Sequence, residues 1–144
     1  MKYIIAIDIG GSTFRTGLFS ETLIQLNISN QDKIRYYNDK DQVVDAIINQ
    51  VNNIIDDNNI NRGDILGVGV ALPGPLDSDK GIILNTPNLS IFQHYDIRSD
   101  FKKKLNLDIF IENDANLFSL GEWYSHYKQN NIVVGVTLGT GLGF

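Results

Sequence analysis

YIIAIDIGGSTFRTGLF, residues 3–19, decides the fold. Two runs rich in β-branched and aromatic residues, 3–9 and 14–19, flank the turn GGST, which predicts two antiparallel strands joined as a hairpin. Residues 22–28 (TLIQLNI) continue the pattern as a third strand, so the chain opens with a β meander.

Outward from the meander, the period changes. Asp39 followed by Gln42 has the form of a capping box, and Val43, Val44, Ile47, Ile48, Val51, Ile54 and Ile55 then recur at helical spacing. A helix of about four turns is expected to cover one sheet face. Asn61-Arg62-Gly63-Asp64 ends it, and ILGVGVAL (65–72) reads as a buried strand, parallel because a helical crossover precedes it. Pro73-Gly74-Pro75 stops that strand. A short strand (81–85), an irregular TPNLS segment, a helix with Ile97, Phe101 and Leu105 on one face, and a strand at 107–112 follow. The last expected elements are a helix over roughly 115–127 and a buried-type strand in NIVVGVTLG, 131–139. The expected class is α/β: a mixed sheet in which an antiparallel β meander is followed by βαβ units.

Composition narrows the function classes. With 144 residues, 42% hydrophobic and 20% charged, the chain is long enough to bury a substantial core. The net charge of −5, with Lys102-Lys103-Lys104 as its single local basic cluster, argues against nucleic acid as a partner. There is no cysteine and only two histidines, His94 and His126, which excludes disulfide scaffolds, thiol nucleophiles and a Cys/His zinc site within this chain. The apolar run before Asp8 is too short for a signal peptide or a membrane span, so no membrane partner and a cytoplasmic location are expected.

Four stretches carry candidate chemistry. In IDIGGST, Gly10 and Gly11 allow close backbone approach to an anion, Ser12 and Thr13 add donors, and Asp8 can hold Mg²⁺ through water. A plain hairpin turn fits the same residues. LGTGLG, with Gly139, Thr140 and Gly141, repeats the strand-then-glycine design at the far end, without the Lys of a Walker motif. Two such loops suit a nucleotide clamped from two sides. In IENDANLF, Asn113 and Asp114 stand between a strand and a helix: Asn113 is an ordinary N-cap, or both face a ligand at a strand's carboxyl end, with Asp114 taking a proton from an attacking hydroxyl. ALPGPLD and NTPNLS are explained by turn chemistry, although Asn85 and Asn88 offer amides suited to vicinal hydroxyls.

Taken together, DIGGST, GVGVALPGPLD, NTPNL, ENDAN…GEW and VTLGTGLG resemble, in order and spacing, the ROK family (repressors, open reading frames, kinases), and most of all its glucokinase-type sugar kinases. The resemblance spans residues 4–143 and implies the actin-like ATPase, ribonuclease H-like fold, in which two lobes enclose a nucleotide. It implies ATP and Mg²⁺ as cofactors, a hexose such as glucose as substrate, and homodimerisation as a common state. By the same resemblance Asp8, Gly10, Gly11, Ser12 and Thr13 form the first phosphate loop, with Asp8 toward the metal, and Gly139, Thr140 and Gly141 the second. Gly74, Asn88, Asn113 and Asp114 line the sugar site, with Asp114 as the base for attack of the 6-hydroxyl on the γ-phosphorus.

Two positions depart from the family pattern: Ser12 stands where Thr is common, and Phe144 where Gly is usual. The family's Glu-x-Gly-His segment and cysteine-rich zinc motif do not occur in these 144 residues. The expectation is therefore an amino-terminal lobe over 1–130, with 131–144 as the first strand and phosphate loop of a second lobe; the chain is read as cut from a longer protein or as a natural short relative. A sugar-sensing regulator of the same family and a non-catalytic nucleotide-binding domain remain the alternatives.

Overall fold

Three strands supply the centre of the molecule, and their register explains why the core lies on one side of them. The computed structural model describes residues 1–138, 142 and 143. Strand β1 (Tyr3–Ile9) pairs antiparallel with β2 (Thr13–Ser20), as the hairpin pattern predicts, and β2 pairs antiparallel with β3 (Gln25–Ile28). A two-residue strand, β4 (Asp32–Lys33), returns to the start of β2. On its other edge β1 pairs in parallel with β5 (Ile65–Leu72), giving the sheet order β3-β2-β1-β5 before the last strand is added.

Helix α1 (Lys40–Asp57) makes the crossover between β4 and β5, five turns long rather than four. Asp39 caps it by accepting from the Gln42 amide at 2.9 Å. The Gln42 side chain returns to the Asn38 amide at 3.1 Å, one residue earlier than in a standard capping box. Beyond β5, a small antiparallel sheet of β6 (Leu76–Asp77), β7 (Ile82–Ile83) and β8 (Tyr95–Asp96) leads into helix α2 (Ile97–Leu105). Strand β9 (Ile109–Asn113) then pairs in parallel with β5 and completes the large sheet, and helix α3 (Asp114–His126) leaves its carboxyl end.

Register aligns Ile5 with Val68 and Ile109, and Ile7 with Val70 and Ile111. All six are buried, and the apolar stripe of α1 with Ile97, Phe101 and Leu105 of α2 closes over them. Alternation puts Ala6, Gly69 and Phe110, then Asp8, Ala71 and Glu112, on the opposite face. That face is largely bare: Phe110 is 63% exposed.

The carboxyl-terminal expectations are only partly met. Helix α3 begins one residue early and buries none of its side chains. Within the expected strand 131–139, the described residues 131–138 do not form a buried strand: residues 131–136 lie outside any strand, and β10 (Thr137–Leu138) pairs antiparallel with β11 (Leu142–Gly143). Ile132 and Leu138 are 84% and 85% exposed. Five β-branched residues between 132 and 137, interrupted only by Gly135, supply strand propensity, but a buried strand needs a sheet to bury against, and no described segment provides one. The third strand is also shorter than expected, starting at 25 after a turn in which Leu23 takes a positive φ of 65°.

One tyrosine makes a pH test of the fold. Tyr37 donates from its hydroxyl to Asp32 at 2.5 Å, and this bond, with lesser burial and the nearby charge, raises its pKa from 10 to about 12. The unfolded chain therefore ionises first, and the stabilisation is complete below pH 10 and lost as pH rises toward 12. Urea unfolding across that window is expected to show a steeper fall for the parent protein than for Tyr37→Phe; equal slopes contradict it.

Candidate functional site

The carboxyl ends of β1, β5 and β9 lie side by side, and every described candidate residue sits on or just beyond them. Gly10 donates its amide to the Thr13 carbonyl at 2.8 Å, closing the β1–β2 turn. A Cβ at Gly11 would lie 2.6 Å from the backbone oxygen of Asn88, so the tip of the first turn touches the irregular segment after β7. A Cβ at Gly74 would stand 3.2 Å from Nδ2 of Asn113, which joins the loop after β5 to the end of β9. Pro75 ties the two middle stretches together: its carbonyl accepts from the Leu84 amide and from Oγ1 of Thr86, both at 3.1 Å. Asp8, Gly10, Gly11, Ser12, Thr13, Gly74, Asn88, Asn113 and Asp114 are thereby brought to one end of the sheet. Gly139, Thr140 and Gly141 lie outside the described residues.

At the start of α3 the ordinary capping role is met, and it determines which atoms are left for a ligand. Oδ1 of Asn113 accepts from the amides of Ala115 at 3.0 Å and Asn116 at 3.2 Å, so its oxygen belongs to the helix. What Asn113 offers a ligand is therefore its Nδ2 donor beside Gly74, rather than a donor and an acceptor together. Asp114 accepts from the Ala115 amide through Oδ1 at 2.8 Å, its Oδ2 has no partner among the described residues, and the side chain is exposed. Glu112, in register with Asp8 across Ala71, accepts from the Asn113 amide at 2.7 Å and the Asn116 side chain at 3.0 Å, fixing the strand-to-helix corner.

Asp8 is half exposed and lies 3.5 Å from Nε of Arg15, its register partner on β2. Among the described residues no group of three or more His, Cys, Asp or Glu side chains is placed to hold a metal ion. A lone exposed carboxylate beside a phosphate-type turn suits Mg²⁺, which keeps most of its waters and takes its remaining ligands from phosphate, and does not suit a protein-enclosed metal.

Sequence reasoning missed several residues here. Arg98 of α2 donates from Nη1 to the Asp79 carbonyl at 2.6 Å and from Nη2 to the Ser78 carbonyl, clamping the β6–β7 turn, while its buried Nε has no partner among the described residues. Gly81 in that turn has φ +81°, and a Cβ there would meet Cβ of Arg98 at 2.3 Å. The clamp holds the hairpin that leads to Asn85 and Asn88. Only the isolated glycine before a short strand hinted at it. Lys33 and Arg35 are also close to the first turn, delivered by the β2–β4 pairing that no local pattern encodes.

The sequence model of the ROK family matches residues 4–144. The glucokinase of Thermotoga maritima is 32% identical over 141 residues, covering 97% of this chain and 43% of its own length. A xylose repressor of Caldicellulosiruptor bescii is 36% identical over 80 residues, 55% of this chain and 20% of the repressor. Among solved structures, a ROK family glucokinase from Streptomyces griseus in complex with glucose and AMPPNP superposes with a TM-score of 0.74 at 26% identity, over 98% of this chain and 43% of that one. The chain thus spans less than half the length of both glucokinases.

Proposed function

The chain belongs to the ROK family, and from that membership we propose that it is the amino-terminal lobe of a kinase that transfers a phosphoryl group from ATP to a hexose, with glucose and its 6-hydroxyl as the first choice. The observation that carries the reading is the junction at the strand ends. The phosphate-type turn meets Asn88 through Gly11, and Gly74 meets Asn113, so an anion site and a hydroxyl-binding site share one wall. Open α/β sheets bind ligands at this end of their strands.

In this reading Gly10, Gly11, Ser12 and Thr13 cradle the donor's phosphates, and Gly139, Thr140 and Gly141 do so from the second lobe. Asp8 is the residue that would hold Mg²⁺, which when bound supplies charge neutralisation to the phosphates. The Nδ2 of Asn113 and the Asn88 side chain orient the sugar, and Gly74 leaves the Asn113 amide unobstructed by a side chain of its own. Asp114 then accepts the proton of the 6-hydroxyl through Oδ2 as that oxygen attacks the γ-phosphorus and the bond to the ADP oxygen breaks. We assign residues 131–144 to the start of a second lobe, and closing two lobes excludes bulk water from the transfer. The similarity to a xylose repressor supports a second reading, a regulator that binds sugar at the same wall without transfer.

Sugar-dependent ADP release with MgATP separates these. The 144-residue chain by itself is expected to turn over very slowly, and a protein joining it to a second lobe to phosphorylate glucose. Ordinary turnover by the monomeric chain overturns the two-lobe requirement. No sugar-dependent release from the two-lobe protein overturns the kinase reading in favour of the regulator.

A further inference from the structure

We propose that Lys33 and Arg35 contact the phosphates of the donor held by the Gly10–Thr13 turn, an inference that rests on reading this turn as a phosphate loop. Strand β4 places them there. Lys33 pairs with Thr13 across the β2–β4 ladder, and the Ile34 amide donates to the Ser12 carbonyl at 2.9 Å. Gln31 adds a third tie, from Nε2 to Oγ1 of Thr13 at 2.9 Å. Ile34 is buried while Lys33 and Arg35 are exposed, so the backbone is anchored between two outward cations. With Gly11, Ser12 and Thr13 these three residues line a cavity of about 390 Å³.

Their charges are uncommitted. Lys2, Arg15, Lys40, Lys80, Lys102 and Lys104 each lie within 4 Å of a carboxylate, whereas Lys33 and Arg35 form no ion pair among the described residues. Both instead approach the ring of Tyr36, with Nζ at 5.9 Å and Cζ at 5.6 Å from its centroid, which keeps the two charges near each other. The turn has no cation of its own, since Arg15 faces Asp8 and no lysine follows the glycines. A polyphosphate chain carries several negative charges, and amides alone neutralise none of them. A flexible ammonium and a planar guanidinium two residues apart supply what the turn lacks.

The test is a titration of the ¹⁵N-labelled chain with magnesium tripolyphosphate, followed through the amide shifts of Gly10 to Thr13. Replacing both cations (Lys33→Gln with Arg35→Gln) is expected to weaken binding about tenfold and to make its salt dependence shallower. Lys103→Gln, on the exposed side of α2, is expected to change nothing. The same tenfold effect is expected with AMPPNP, and any tighter binding of AMPPNP by the parent chain measures what the nucleoside adds to the shared phosphate chemistry. Unweakened binding in the double variant, with binding lost in Gly11→Ala, overturns this inference and leaves the phosphate loop standing. Equal weakening by Lys103→Gln overturns it as non-specific charge. No shift of the turn amides in the parent chain overturns both. Each variant's spectrum reports whether it is folded.

Discussion

Asp114→Asn, assayed with glucose and MgATP in a protein carrying both lobes, is expected to lower kcat by roughly 10²–10⁴ while leaving the sugar KM nearly unchanged. The substitution exchanges a base for a neutral amide of the same shape. An asparagine oxygen at 114 still accepts from the Ala115 amide, and Asn113, not Asp114, caps α3, so the helix start survives. Sugar binding depends on Asn113, Asn88 and Gly74 in this proposal, which is why KM is spared. Steady-state kinetics paired with a thermal melt make the check. If kcat stays within about fivefold of the parent with both proteins folded, the proton leaves by another route.

Phe101→Ala is expected to cost about 3–5 kcal/mol of folding stability, a large share of the roughly 5–15 kcal/mol typical of a domain. Phe101 is fully buried in the single core cluster, on the face of α2 that closes over β9. Its removal leaves a ring-sized void that the paired strands beneath cannot collapse to fill. Calorimetry should show a melting temperature lower by roughly 10–20 °C, with Lys103→Ala on the same helix as the near-neutral control. A loss below about 1 kcal/mol would mean that α2 does not pack as described.

Elements with enough length to show a period were legible in the sequence. Seven apolar residues at helical spacing gave α1, a run rich in β-branched residues before a glycine turn gave β1, and Asp39 and Asn113 marked helix starts by capping chemistry that acts within four residues. The parallel placement of β5 followed from the helix before it. Elements defined by distant partners were not legible. Strand β4 has two residues and therefore no period, and exists only because Thr13 and Phe14 are there to pair with it. That is why Lys33 and Arg35 escaped notice. The run 131–138 failed in the opposite direction, because propensity is local and burial is not.

The same division holds for the candidate site. Glycines, carboxylates and amides at strand ends could be picked out one by one, and the resemblance assembled them into a whole. Which atom of Asn113 remains for a ligand depended on the geometry of the cap. The clamp of Arg98 on the turn before β7 depended on a helix and a hairpin meeting across 19 and 20 residues, the separations of its two hydrogen bonds.

The contact of Gly11 with the Asn88 carbonyl also constrains how this protein can diverge. Any side chain at 11 forces the 88 backbone outward, so the first turn and the segment that would choose the sugar cannot drift separately. Under the proposed function, a descendant selected for another sugar can alter the Asn88 side chain but must keep its main-chain path. Changes of taste are then channelled into side chains around a fixed trace, and a shift in that trace would be inherited as a defect in the proposed phosphate turn.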